Sequence, residues 1–131
     1  MQDYYWFIIF IAANSTMLLL FSINVSRLRL KQKVAWGDSG DSGDKALMKA
    51  IRVHANGTEQ VPIYALIMLS LVFTGASNNI LSALVIIFTL SRIIHAYGML
   101  GKKPILRQAG AAVTYASQCA AVIALLLSLN T

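Results

Sequence analysis

The chain has 131 residues, a net charge of +6, 57% hydrophobic residues and only 12% charged ones. So few charges cannot cover a water-exposed fold, and a mean hydropathy of +0.65 calls for a lipid-facing surface. The basic residues sit between apolar blocks instead of on an aromatic-studded sheet or a recognition helix, which argues against nucleic-acid binding and for a topological role.

From Tyr4 to Val25 the sequence is apolar and uncharged, long enough to cross a hydrocarbon core of ~30 Å at ~1.5 Å per residue. Tyr4, Tyr5 and Trp6 make an aromatic anchor at its start. No basic region precedes this block and no small-residue cleavage site follows it, so it reads as a retained span and not a signal peptide. A basic segment over residues 26–57 comes next, with a flexible Gly/Ser/Asp stretch from Gly37 to Asp44. Asp38, Asp41 and Asp44 recur every third residue there but lack a calcium-loop pattern, which reads as solvated loop.

The second apolar block, Val61 to Phe73, is short alone, so its helix begins earlier, near Asp44 or Lys45, with Asp44 as a candidate N-cap and a span over about 58–75. Pro62 falls inside it and should kink the axis. After a short uncharged turn, the third span covers 80–100 and carries Arg92 and His95. Residues 101–106 form a second basic loop, and the fourth span covers 107–129. The lone Cys119 lies in this last helix and reads as a buried small residue.

The expected fold is thus an all-α integral membrane protein, a bundle of four transmembrane helices in a single domain over residues 1–131. Apart from Arg92 in the third span, the Lys and Arg residues lie in or beside the first and third loops, which places those loops in the cytoplasm and both termini outside. In a bacterium the membrane would be the cytoplasmic, or inner, one.

Ionisable groups inside spans are expensive, by ~2.5 to 3.5 kcal/mol on insertion scales, so each calls for a partner or a role. Arg52, Asn56 and Glu59 are spaced i, i+4 and i+7 and share one face of the second helix at the bilayer boundary, with His54 about half a turn away. A cation, an amide and a carboxylate on one face suit a zwitterionic ligand, although snorkelling or an interhelical salt bridge would use the same residues. His54 and His95 stand on different helices with no cysteine or carboxylate at ligand spacing, so no metal site is expected.

The string Arg52-Val53-His54-Ala55-Asn56-Gly57-Thr58-Glu59-Gln60-Val61-Pro62 resembles the signature of the membrane-associated proteins in eicosanoid and glutathione metabolism, the MAPEG family. Ser91-Arg92-Ile93-Ile94-His95-Ala96-Tyr97-Gly98 resembles the matching third-span segment of its bacterial members. The resemblance implies a left-handed four-helix bundle assembling as a homotrimer, with glutathione bound between subunits near the cytoplasmic side. Arg52, Asn56 and Glu59 match positions that hold the tripeptide, Glu59 suiting its amine and Arg52 a carboxylate. His54 and Arg92 match further ligand-contacting positions, and His95 stands where some members have a tyrosine. Arg107 lies near the family arginine that steadies the glutathione thiolate, a role guanidinium chemistry suits because a nearby cation favours the thiolate. Gln60 departs from the family, replacing an aromatic residue of several eukaryotic members.

The expected function is a glutathione-dependent transferase or peroxidase acting on a lipophilic small molecule that arrives from the membrane lipid. The sequence leaves open a non-catalytic scaffold or ligand-binding protein of the same fold. A small transporter fits less well, because the first and fourth spans lack a charge near the midplane.

Overall fold

The computed structural model describes residues 4–37 and 45–130. Four helices follow one another: α1 (Tyr5–Gln32), α2 (Ala46–Phe73), α3 (Asn78–Leu100) and α4 (Pro104–Leu127), the last closed by a short 3-10 turn, Ser128–Asn130. Among the described residues, α1, α3 and α4 are each long and apolar enough to cross a membrane. α2 is as long as α1 at 28 residues but places its polar residues Asn56 to Gln60 mid-helix, ahead of the apolar half that begins at Val61. This is a membrane-protein helical bundle.

The helices overrun the expected loops. α1 continues past Val25 through Ser26-Arg27-Leu28-Arg29-Leu30-Lys31-Gln32, because Leu, Arg, Lys and Gln are good helix formers and Arg29 and Lys31 complement the C-terminal dipole. Lys33 then ends the helix in the left-handed conformation, its N–H bonded to the Leu30 carbonyl at 3.4 Å. α2 begins at Ala46, beside the expected start near Asp44 or Lys45, so the basic segment is helical over residues 26–32 and 46–57. The candidate cap Asp44, like Asp38 and Asp41, lies outside the described residues. α4 starts at Pro104 and not at Arg107, since proline is favoured in a first turn that needs no N–H. Pro62 is accommodated within one continuous α2.

Three aromatic rings form the centre of the core. Tyr64 stacks on Phe88 at 3.8 Å between centroids, and Phe10 lies 5.4 Å from Tyr64 and 5.6 Å from Phe88, tying α1, α2 and α3 together. The Tyr64 hydroxyl donates to the Leu84 carbonyl at 3.1 Å and shares a 2.8 Å bond with Ser117, which brings in α4. Asn14, fully buried on α1, donates to Thr89 of α3 at 3.0 Å. Lipid tails are as apolar as leucine, so packing and interhelical hydrogen bonds of this kind hold the bundle together.

α3 and α4 approach most closely. A methyl group on Gly98 would collide with the Arg107 backbone, and one on Gly110 with the backbone and side chain of His95. Ser91 and Thr114 share a 2.8 Å hydrogen bond in the same antiparallel register. The two glycines therefore fix how Arg92 and His95 stand relative to α4.

A candidate cationic ligand site between α2, α3 and α4

Arg92 lies on the inner face of α3 and is only 2% exposed. Its guanidinium donates to the Asn56 side-chain oxygen at 2.6 Å, across the gap to α2. Its Nε has no partner among the described residues. Among the described residues no carboxylate pairs with it, and the one described acidic residue, Glu59, stands exposed on α2. A buried guanidinium within a span, satisfied only by a neutral amide, leaves an uncompensated positive field at this point.

His95, one turn further along α3 and 6% exposed, sets its Nδ1 3.0 Å from the Arg107 carbonyl. A carbonyl can only accept, so Nδ1 carries the hydrogen and the buried Nε2 presents a lone pair with no partner among the described residues. Arg92 and Arg107 both act on His95 electrostatically, and the Tyr115 phenol acts on Arg92. The Gly98 and Gly110 contacts create this proximity by pressing the start of α4 against the end of α3.

The structure thus brings Asn56, Arg92, His95 and Arg107 together. It leaves Arg52 and Glu59 exposed on α2, bonded to none of the described residues, and His54 half-buried. The i, i+7 pair shares a face but lies about two turns apart, too far for the two side chains to bridge each other. Within one chain these residues border the site and do not close it.

One expectation is corrected. Cys119 is exposed and not buried, since α4 turns its inner face through Gly110, Thr114, Ser117 and Ala121 and leaves the cysteine on the outer one.

The MAPEG family model matches residues 7–127. The inner membrane protein YecN of Escherichia coli (strain K12) is 33% identical over 116 residues, covering 88% of this chain and 84% of that protein. The YecN protein of Escherichia coli O6:H1 matches to the same extent. No solved structure matches. The extent of both matches, together with the four-helix membrane bundle, shows that the chain belongs to the MAPEG family.

Proposed function

We propose that the protein is a glutathione-dependent membrane transferase or peroxidase, residing in the inner membrane as its relative's name states for that protein. The observation that carries this reading is the buried Arg92, bonded to Asn56 and lacking a carboxylate partner among the described residues. Such a site is complementary to an anionic ligand, and glutathione supplies two carboxylates and an ionisable thiol.

In this reading Arg92 and Asn56 hold the peptide, Arg52 takes a carboxylate, Glu59 takes the γ-glutamyl amine, and His54 and His95 complete the polar lining. Arg107 lies beside the sulfur and favours the thiolate over a thiol whose ordinary pKa is about 8.5. The thiolate sulfur forms the new bond to the electrophile as the leaving group departs with its electron pair. With a hydroperoxide, the sulfur attacks the O–O bond, an alcohol leaves, and a second glutathione closes the disulfide with loss of water. A shallow, largely apolar groove on the outer face of α4, bordered by Tyr115, Gln118, Cys119 and Ile123, opens toward lipid and suits the approach of a lipophilic substrate.

The proposed assembly is a homotrimer. Exposed Arg52 and Glu59 on the outer face of α2 are costly against lipid, and a neighbouring copy would cover them and finish the site. The basic helix ends face the cytoplasm and both termini lie outside.

Conjugation of glutathione to a chloronitrobenzene, and reduction of a lipid hydroperoxide, by the detergent-purified protein test the proposal. Turnover that falls at least roughly a hundredfold in Arg107→Ala supports it. Glutathione that binds without turnover in either assay would leave a ligand-binding protein of the same fold.

A further inference from the structure

At the end of the bundle where α1 and α3 finish and α2 begins, a cavity of about 430 Å3 is lined by four cations, Arg27, Lys45, Lys49 and Lys102. None of its described lining residues is acidic. The cavity shares no lining residue with the Arg92 site and begins about two turns earlier on α2.

The cations arrive from three separate segments of chain: the last turns of α1, the start of α2 and the turn after α3. Topological signals require basic residues on this side of the membrane, but they do not require them to surround one hollow. Arg27 is held in place. Asn24 accepts a 3.2 Å bond from the Arg27 guanidinium and fixes its direction at the cavity wall. Lys102 has φ 56°, the left-handed backbone region that favours glycine, so a lysine is carried where glycine would be unstrained.

The depth of the cavity defines the ligand. The uncharged run of α1 ends at Val25, and Leu100 closes α3, so Asn24, Leu28 and Leu100 set the cavity at the level where hydrocarbon gives way to headgroups. The space holds on the order of ten water molecules, more than one phosphate group needs and enough for a phosphate with part of its ester. Leu28 and Leu100 offer an apolar margin to the ester carbons.

We infer that this cavity binds a phosphate ester anion, with the headgroup of an anionic phospholipid in the adjoining leaflet or a soluble phosphate as its source. The Lys and Arg side chains neutralise the phosphate from three sides, and a bound lipid ties the first loop to the α3–α4 turn.

Native mass spectrometry of the full chain, released from detergent in the presence of phosphatidylglycerol, phosphatidylcholine or inorganic phosphate, tests the inference. The wild type should retain phosphatidylglycerol roughly tenfold or more over phosphatidylcholine, and Lys45→Gln/Lys102→Gln should bring the ratio near one. Lys31→Gln/Lys33→Gln, which removes the same charge from outside the cavity, should keep the wild-type ratio. Inorganic phosphate that binds and displaces the lipid, again only with Lys45 and Lys102 present, would assign the same cavity to a soluble phosphate. No preference in the wild type, or an equal loss in both double variants, would overturn the inference, since net charge alone would then account for any binding.

Discussion

Arg92 and Asn56 meet across α2 and α3 at 2.6 Å, a cation bonded to a neutral amide in a buried place where a carboxylate would neutralise it. The pairing holds the guanidinium in position and keeps its charge available to a ligand. Asn56→Asp should therefore raise thermal stability by forming an ion pair while lowering glutathione affinity at least roughly tenfold. Asn56→Leu should lower both, because it strands a buried charge, at a cost of about 1–3 kcal/mol of stability. Melting curves in detergent and calorimetric titration separate the two; an aspartate that improves binding would show that the ligand is not an anion at this point.

Arg52 and Glu59 make a contrasting pair. Both are exposed on one chain and bond to none of the described residues, so neither supports the fold of a single subunit. Arg52→Ala and Glu59→Ala should each reduce glutathione affinity about tenfold and leave the helical content of the bundle unchanged. If both variants bound as well as the wild type, the outer face of α2 would not belong to the site.

Tyr64 joins all four helices through its ring and its hydroxyl. Tyr64→Phe retains the stack on Phe88 at 3.8 Å and loses the bonds to Leu84 and Ser117. It should cost about 0.5–1.5 kcal/mol in reversible unfolding, with Ser117→Ala non-additive in a double-mutant cycle.

Gly110 touches the backbone of His95, and its substitution tests whether helix approach positions the site. Gly110→Val should destabilise the bundle by about 1–3 kcal/mol and weaken glutathione binding, because α4 must move away from His95 and carry Arg107 with it. His95→Gln, which keeps a donor for the Arg107 carbonyl, should leave stability nearly unchanged.

These residues also show which parts of the molecule are legible in the sequence. Spacing alone puts Arg52, Asn56 and Glu59 on one helix face, and the apolar blocks alone reveal the helices. Helix ends are less visible, because charge density says where the hydrocarbon stops and not where the backbone unwinds; α1 therefore runs on through Arg27, Arg29 and Lys31. The Arg92–Asn56 bond, the close approach at Gly98 and Gly110 and the position of Tyr115 depend on how helices pack, and no single-helix periodicity encodes that. The outward turn of Cys119 follows from the inner face of α4, which small residues define and hydrophobicity does not.

The most direct test of a cationic site that activates a thiol is the thiolate absorbance of glutathione bound to the detergent-purified protein, followed across pH. The account predicts a bound thiol that ionises at least about one unit below its ordinary pKa near 8.5, with the shift lost in Arg107→Ala and binding itself lost in Arg92→Met. Glutathione that binds with an unshifted thiol, or that binds equally well to Arg92→Met, would contradict it.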